Sequence, residues 1–384
     1  MRILHLVRTL TVGGIEPHLM TLGRGLQAVG CEVAIASDGG NGSHSHGIDW
    51  FTSHGFRHYL VAFPGPDMNA AILRRAVQSA LNFRSAVEDF RPDLIHVHYR
   101  ATSVYAQIAQ LAAGIPFVST LHIIPIPSGS LYRSVSFWGE HTIAISSEVR
   151  KYLKSAFEVK ESRIRLIHHG VDTDPYRPPT RGERQAARDK FDVTSAPLVI
   201  AMLARMSWEK GHDLLLKALA CLREQGYRPV ALLAGVSISG ETQWRDAMVK
   251  MASQLGCADQ VRFLGYADAR DVLWSSDISV LPSRWEGFGL AVVEAMLCGL
   301  VPVRTPAAGA SDQIDDGENG FIVPFESSES LAQRLKVLIQ EEGLRHQMAL
   351  AARAKALSKF SATGMVTKTL NVYEDVLNCR KATA

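Results

Sequence analysis

Short apolar runs alternate with longer amphipathic stretches along this chain. In the first half, the apolar runs that we predict as strands are 3–7, 33–36, 94–98, 117–122, 142–146 and 165–169. Between these runs, apolar residues recur at helical spacing. Ile15, Leu19, Leu22 and Leu26 fall on one face of a helix that carries Pro17 in its first turn. Strands that alternate with helices predict βαβ units and a mainly parallel sheet.

The alternation pauses at about 172–196 and then begins again. Residues 172–182 are rich in proline and charge and have no apolar face, so we predict a linker there. The second half supplies predicted strands at 198–203, 231–234, 261–264, 278–281, 301–304 and 321–323. We therefore predict two open α/β domains, 1–172 and 173–363, and a closing helix at about 364–380 that could pack back on the first domain. Ligands of such sheets bind at the carboxyl ends of the strands, so we expect the site in a cleft between the domains.

Composition narrows the class of protein. The chain has 384 residues, 47% of them hydrophobic, and a net charge of +3, which is too small to indicate nucleic-acid binding. Its five cysteines are widely spread and form no CxxC, which favours a reducing compartment and argues against a zinc site. No apolar run approaches about 18 residues. We expect a cytoplasmic protein, and the weakly basic first half leaves contact with the inner face of a membrane open.

Two carboxylates, Glu286 and Glu294, lie eight positions apart around a glycine-containing turn. The turn leads into a helix that we place from about Phe288. Glycines before a helix N-terminus leave backbone N–H groups and the positive end of the helix dipole open to an anion. Glu294 would lie about 9 Å further along the axis, at about 1.5 Å per residue, which disfavours a shared proton. We therefore predict that the two carboxylates bind opposite ends of an elongated ligand such as a nucleotide sugar.

A pair of cations follows the first predicted strand of the second domain. Arg205 comes directly after this strand, and Lys210 follows five positions later, before Gly211 and a predicted helix. Paired cations at a strand end can stabilise the negative charge of a leaving nucleoside diphosphate. For the motif taken alone, a solvated basic loop is the alternative.

The first domain offers weaker candidates at its own strand ends. Gly13 and Gly14 precede a helix and would let the backbone approach a ligand closely, although their spacing is not that of a dinucleotide fingerprint. His122 ends a strand and could donate a hydrogen bond to a sugar hydroxyl or a developing oxyanion. Tyr99 and Arg100 follow another strand and are candidates for the acceptor site. A structural role is the alternative for each of them.

Two further motifs superficially resemble metal sites. His44 and His46 lie in a Gly/Ser loop, where we find no third ligand. Asp172 and Asp174 resemble the DxD motif that holds a divalent cation in one class of sugar transferases, but they fall in the predicted linker and not at a strand end. We predict that the protein needs neither a metal nor another cofactor.

Together these motifs resemble glycosyltransferase family four, a family of retaining sugar transferases with the GT-B fold. The resemblance covers nearly the whole chain, and its marks are GGIE at 13–16, RPDLIHVH at 91–98, TLH at 120–122, IHHGVD at 167–172, the cation segment at 204–211, SRWEGFGLAVVEA at 283–295 and GENGF at 317–321. The two glutamates with GFGL between them are the most specific mark. The chain departs from the family pattern at His169, where Asn is common, and at Ala204, where Gly is usual.

The resemblance implies an α/β protein of GT-B type, with two Rossmann-like domains whose parallel sheets face each other across a cleft. The N-terminal domain would bind the acceptor and the C-terminal domain the donor. By resemblance, Glu286 contacts the donor sugar, Glu294 the ribose, Arg205 and Lys210 the diphosphate, and His122 lies beside the sugar. Phosphate and sugar would also contact the backbone of Gly287, Phe288, Gly289 and Leu290. The family needs no bound metal and retains the anomeric configuration, through front-face attack in which a donor phosphate oxygen takes the acceptor's proton.

The expected activity is therefore that of a hexosyltransferase in polysaccharide or glycoconjugate biosynthesis. The donor would be a UDP- or GDP-sugar and the acceptor a sugar or a lipid-linked hydroxyl. The apolar, proline-rich segment 123–127 could meet a hydrophobic acceptor. Two alternatives stay open: an epimerase-type enzyme that modifies nucleotide sugars, and a non-catalytic binding protein of the same fold. An NAD-dependent dehydrogenase is disfavoured because the first domain lacks its fingerprint.

Overall fold

The computed structural model describes residues 1–10, 13–40, 47–63, 72–237 and 243–381. Its strands are β1 (Arg2–Leu6), β2 (Glu32–Ser37), β3 (Arg57–Leu60), β4 (Leu94–Val97), β5 (Phe117–Leu121), β6 (Thr142–Ala144), β7 (Ile164–Leu166), β8 (Val199–Leu203), β9 (Val230–Ala234), β10 (Val261–Gly265), β11 (Ile278–Leu281), β12 (Val301–Arg304) and β13 (Phe321–Ile322). Its α-helices are α1 (Ile15–Ala28), α2 (Gly47–Ser53), α3 (Ile72–Phe90), α4 (Ser103–Ala113), α5 (Ser130–Ser134), α6 (Ser147–Phe157), α7 (Arg181–Lys190), α8 (His212–Glu224), α9 (Gln243–Gln254), α10 (Ala269–Trp274), α11 (Leu290–Leu297), α12 (Ala310–Gln313), α13 (Ser328–Gln340), α14 (Glu342–Lys359) and α15 (Ala362–Lys381).

The chain divides into two compact units. The first unit consists of Met1–Gly170 and Ala362–Ala384, and the second unit is Val171–Ser361. The last helix, α15, therefore belongs to the first unit although its sequence follows the second.

The first unit is built on a parallel sheet of seven strands in the order β3-β2-β1-β4-β5-β6-β7. The predicted apolar face of α1 packs in the same core as α15, through Leu19, Leu22 and Leu26 of α1 and Tyr373 of α15. Close packing requires a glycine on α1, because a Cβ at Gly25 would lie 2.4 Å from a methyl carbon of Val366. The order of the strands reverses between β1 and β4, and such a switch point opens a crevice at the carboxyl ends of the strands.

The second unit repeats the architecture with a parallel sheet of six strands, in the order β10-β9-β8-β11-β12-β13. Its core is formed by β-branched, Leu and Ala side chains on the strands, packed against α8, α13 and α14. The switch point here lies between β8 and β11. The segments that follow these two strands hold the predicted donor-site residues, so the sheet order brings them together.

Two elements differ from the sequence-based expectation. The apolar pattern does not predict the edge strand β3, because its short RHYL sequence is only partly buried and carries two basic residues. The interruption predicted at 172–196 is also too long, since α7 occupies part of it. This helix has few apolar residues; it begins with a capping box between Thr180 and Glu183, and its arginines Arg184 and Arg188 pair with Asp277.

None of the helices that the structure describes is both long enough and apolar enough to cross a bilayer.

Candidate functional site

The structure brings Lys210 and Glu286 together at the switch point of the second unit. The Lys210 Nζ donates a hydrogen bond to Glu286 Oε1 at 2.6 Å, and the Ser283 hydroxyl donates to the same oxygen at 2.9 Å. The two charged side chains are only 15% and 10% exposed. A lysine has three N–H donors, so this contact leaves donors available for a ligand. The carboxylate and the ammonium are therefore held as one polar group at the sheet edge.

The local fold of the segment after Lys210 requires a glycine. Gly211 has φ +76°, and a Cβ at this position would lie 2.2 Å from the Pro282 carbonyl oxygen. Only glycine combines this backbone conformation with such a close approach. The contact holds the start of α8 against the end of β11, which fixes Lys210 next to Glu286.

The second predicted cation, Arg205, lies two residues after the end of β8. Its Nη2 donates to Glu209 Oε1 at 3.1 Å, and its side chain is 30% exposed. Burial raises the pKa of Glu209, but local polar contacts and the charges of Arg205 and Lys210 outweigh it, so the pKa lies below its ordinary value. Glu209 therefore stays ionised between the two cations and balances their charge.

The glycine loop after Glu286 is folded back on a buried arginine. Helix α11 begins at Leu290, two residues later than predicted, because Gly289 has φ +83° and caps the helix. The Phe288 side chain is 2% exposed and packs edge-to-face on Phe360, so only its backbone can reach a ligand. Gly287 is also buried, whereas Gly289 and Leu290 are partly exposed.

Arg304, at the end of β12, organises this loop and was not singled out from the sequence. It is fully buried, and its guanidinium donates to the carbonyl oxygens of Phe288, Ala307 and Ala308 at 3.0–3.1 Å and to the side-chain oxygen of Gln313. A planar guanidinium has five donors and can hold several acceptors at once. The only signal in the sequence was an arginine that ends an otherwise apolar strand.

Glu294, the second glutamate of the motif, forms a hydrogen bond with Tyr176. Burial raises the pKa of Glu294 to about 7, and the hydrogen bond from Tyr176 partly opposes this shift. Tyr176 lies in the segment predicted as a linker, where no local pattern marks it as a partner of Glu294. Glu294 keeps some exposed surface, and its contact with Tyr176 shows that a hydroxyl is a suitable partner for it.

In the first unit, Gly13 and Gly14 lie between β1 and α1. Gly14 has φ −69°, and a Cβ added at Gly13 would meet no atom within 4 Å among the described residues. The described residues therefore leave space beside Gly13, and Gly14 has a backbone conformation that any residue can adopt.

His122 follows β5, as predicted, but both of its ring nitrogens contact other histidines. Its Nε2 lies 2.9 Å from Nδ1 of His98, and its Nδ1 lies 3.1 Å from Nε2 of His169. His98 Nε2 in turn lies 2.8 Å from Nδ1 of His5. To donate to a sugar or an oxyanion, His122 would have to give up one of these hydrogen bonds. The sequence shows His98 at the end of its strand, but nothing in it indicates the contact with His5.

Tyr99 and Arg100 follow β4 and lie on the same side of the first unit as α5. Tyr99 is 37% exposed, with the Arg8 guanidinium 5.7 Å from the centre of its ring. Arg100 donates to the Ser136 hydroxyl at 3.1 Å and stacks over the Tyr132 ring at 5.0 Å. Neighbouring residues thus position both side chains, and part of the Tyr99 ring and of the Arg100 side chain stays exposed.

The two metal-like motifs do not add to the site. Asp172 accepts a hydrogen bond from the backbone N–H of Asp174 at 3.1 Å and so stabilises a local turn. His44 and His46 lie outside the described residues.

Comparisons with known proteins agree on the class. The family model described as Glycosyltransferase Family 4 matches residues 12–175, and the one described as Glycosyl transferases group 1 matches 183–355. A D-inositol 3-phosphate glycosyltransferase of Saccharomonospora viridis is 30% identical over 76% of this chain and 72% of its own length. A relative with the same description from Frankia alni is 27% identical over 90% of both chains.

Solved structures agree on the fold. The structure of Anabaena Alr3699/HepE in complex with UDP superposes with a TM-score of 0.85 at 23% identity, over 98% of this chain and all of that one. A glycosyltransferase from Rickettsia africae has a TM-score of 0.83 at 23% identity and covers 98% of both chains. The chain therefore belongs to glycosyltransferase family four, and it is a glycosyltransferase with two Rossmann-like, parallel-sheet domains of the GT-B type.

Proposed function

We propose that this protein transfers a hexosyl group from a nucleoside diphosphate sugar to a hydroxyl acceptor. The observation that carries the proposal is the group formed by Lys210, Glu286 and Ser283 at the switch point of the second unit, with Arg205 on the neighbouring strand end. Two cations can bind a diphosphate. The second carboxylate oxygen of Glu286 makes neither of these contacts, so it can accept hydrogen bonds from sugar hydroxyls. Structures of Anabaena Alr3699/HepE contain UDP in one case and UDP-glucose in another, so UDP-sugars are the first donors to test.

The reaction that we propose proceeds with retention and needs no metal on the diphosphate. The acceptor oxygen forms a bond to the anomeric carbon while the bond from that carbon to the phosphate oxygen breaks. The acceptor's proton passes to a phosphate oxygen, and the nucleoside diphosphate leaves with both electrons of the broken bond. Lys210 and Arg205 stabilise the charge that develops on it, a task that fixed cations in a poorly hydrated site perform well. Glu286 orients the sugar, and Glu294 accepts from the ribose.

For the acceptor, we propose a sugar or lipid-linked hydroxyl that contacts Tyr99 and Arg100. Exposed apolar surface near them supports this choice, since Tyr132 is 45% exposed and Val135 43%. Such a surface suits an acceptor presented at a membrane, in polysaccharide or glycoconjugate biosynthesis. Several relatives are described as D-inositol 3-phosphate glycosyltransferases, so inositol phosphates belong among the acceptors tested.

The test is to incubate the protein with a panel of UDP- and GDP-sugars, with and without acceptors, and to follow nucleoside diphosphate release and the product by NMR. We expect release that depends on the acceptor and a product with the donor's anomeric configuration. An inverted product would contradict the proposed mechanism. A modified nucleotide sugar formed without an acceptor would instead support the epimerase alternative, and binding without turnover of any donor would support the non-catalytic one.

A further inference from the structure

Six histidine rings lie together in the first unit, contributed by α1, by strands β1 and β4, and by the segments that follow β4, β5 and β7. They are His5, His18, His96, His98, His122 and His169, and neighbouring ring centres are 4.0–5.7 Å apart. All except His122 are buried. Such a concentration of imidazoles goes beyond the proposed transfer reaction, whose steps as written above use none of the six, and the family resemblance implies a role only for His122.

His18 is the member of this histidine cluster that its surroundings do not explain. It is 5% exposed, and within the part of the chain that the structure describes neither ring nitrogen has a hydrogen-bond partner. Its ring stacks on His169 at 4.2 Å and meets the edge of His122 at 5.0 Å. A buried polar group without a partner is unfavourable, by roughly 1–3 kcal/mol. A ring of this kind, directed into a group of other imidazoles, is where a ligand would be expected.

Three of the rings are close enough to bind one ion. One nitrogen from each of His18, His98 and His122 can be chosen so that all three lie within 4.8 Å of one another. In a tetrahedral site with Zn–N bonds of about 2.0–2.1 Å, nitrogens lie roughly 3.3 Å apart. The rings would thus have to close by at most roughly 1.5 Å (4.8 − 3.3), a movement within reach of side-chain rotation. A second such set contains His96, but both nitrogens of His96 already contact Tyr373 and Thr120.

The donor type suits a transition metal. An imidazole binds a metal ion through the lone pair of an unprotonated ring nitrogen. Neutral imidazoles are suitable ligands for Zn²⁺, Ni²⁺ and Cu²⁺.

Two of the three proposed ligands, His98 and His122, also have the outer contacts of a metal site. A histidine ligand usually donates its second ring N–H to a neighbouring acceptor, which fixes the orientation of the ring. If His98 Nδ1 and His122 Nε2 bind the ion, His98 Nε2 can donate to His5 and His122 Nδ1 to His169, at the 2.8 Å and 3.1 Å contacts already present. Each of these two rings keeps one proton, so metal binding requires a change of tautomer but releases no proton.

The geometry points to a binding site for one divalent transition-metal ion at His18, His98 and His122. The fourth position of a tetrahedral site stays open to water or to a ligand, and the partly exposed His122 gives the ion a way in. Lys210 and Glu286, which carry the proposed transfer reaction, belong to the second unit and are not among these ligands, so the proposal does not rest on that reaction.

The experiment uses Zn²⁺ as the probe. The full-length protein is stripped with a chelator, titrated with Zn²⁺ against a chromophoric competitor, and refilled with Co²⁺ to record its visible spectrum. We expect one ion per chain and the intense absorption of tetrahedral Co²⁺. His18→Phe keeps a ring to stack on His169 but has no nitrogen, so its Zn²⁺ affinity should fall at least 100-fold. His18→Leu serves the same purpose if the phenyl ring is too large.

Two controls locate the ion. His54 is an exposed histidine of the same unit, and His54→Ala should bind Zn²⁺ as the unaltered protein does. The double variant His44→Ala/His46→Ala should also retain the ion. The proposal is wrong if the unaltered protein binds no Zn²⁺, if a folded His18 variant binds it with unchanged affinity, or if the double variant loses it.

Discussion

Lys210 Nζ lies 2.6 Å from Glu286 Oε1, although 76 positions of sequence separate the two residues. The contact exists because β8 and β11 are neighbours in the sheet, so the segments that follow them meet at one edge. Both side chains are largely buried, and their mutual contact leaves N–H donors on Lys210 that a ligand can use. This relationship is the basis of the proposed donor site.

Replacing Lys210 by Ala should lower kcat/KM for transfer on the order of 10²–10³-fold, because it removes a cation from the departing diphosphate. The fold should persist, since Glu286 keeps its hydrogen bond from Ser283. The measurement is steady-state kinetics with circular dichroism as the folding check. Lys217→Ala, an exposed lysine on α8, is the matched control and should be unaffected. Wild-type turnover in Lys210→Ala would remove this residue from the mechanism.

Gly211→Ala should reduce both stability and activity, because its Cβ would meet the Pro282 carbonyl and displace Lys210. Gly226 separates the two effects. It also has a positive φ, +87°, but a Cβ there would meet nothing within 4 Å among the described residues. Gly226→Ala should cost about 1–2 kcal/mol from backbone strain and retain transfer activity. Urea denaturation and kinetics of both variants test this, and equal behaviour of the two would argue against the close contact.

Glu294 should make stability depend on pH. Its folded pKa of about 7 lies above the ordinary 4.5, so the stability that its proton contributes is present below about pH 4.5 and is lost as the pH rises through about 7. The Tm of the unaltered protein should therefore fall relative to that of Glu294→Gln between pH 5 and 8. Tyr176→Phe removes a hydrogen bond that lowers the pKa and should move this window to higher pH. Parallel Tm profiles for the unaltered protein and Glu294→Gln would show that Glu294 is not perturbed.

Arg304→Lys should destabilise the second unit by about 3 kcal/mol or more, because one ammonium cannot replace a guanidinium that holds several buried acceptors. The glycine loop should also lose its fixed position, which would raise KM for the donor. Arg228→Lys changes an exposed arginine in the same way and is expected to have no effect. Chemical denaturation of the two variants provides the comparison; equal stabilities would mean that Arg304 does not organise the loop.

Strand ends were the most predictable part of this molecule. The predicted apolar runs all overlap observed strands, and Arg205, Lys210, Glu286 and Glu294 are predicted as site residues because they follow or lie near such runs. Which strands are neighbours could not be derived from the pattern, so the contact between Lys210 and Glu286 could not be either. The family resemblance implies that these residues share one site, and the order of the strands explains how Lys210 and Glu286 come together.

The residues that the sequence did not reveal act through long-range contacts. Tyr176 contacts Glu294 from a segment with no regular pattern. Arg304 is fully buried, although in the sequence it appears only as the last residue of an apolar strand. His18 lies one turn into a helix, where nothing in the local sequence indicates that its ring meets those of His122 and His169. Each of these roles depends on three-dimensional neighbours that periodicity and turn residues do not encode.

Calorimetric titration with UDP and GDP tests the central claim most directly, because it asks whether the Lys210 and Glu286 group binds a nucleoside diphosphate at all. We expect one molecule of at least one of the two to bind per chain, and we expect Lys210→Ala to weaken that binding at least 10-fold while Lys217→Ala leaves it unchanged. Absence of binding by either nucleotide, or equal affinity in Lys210→Ala and the unaltered protein, would contradict the account.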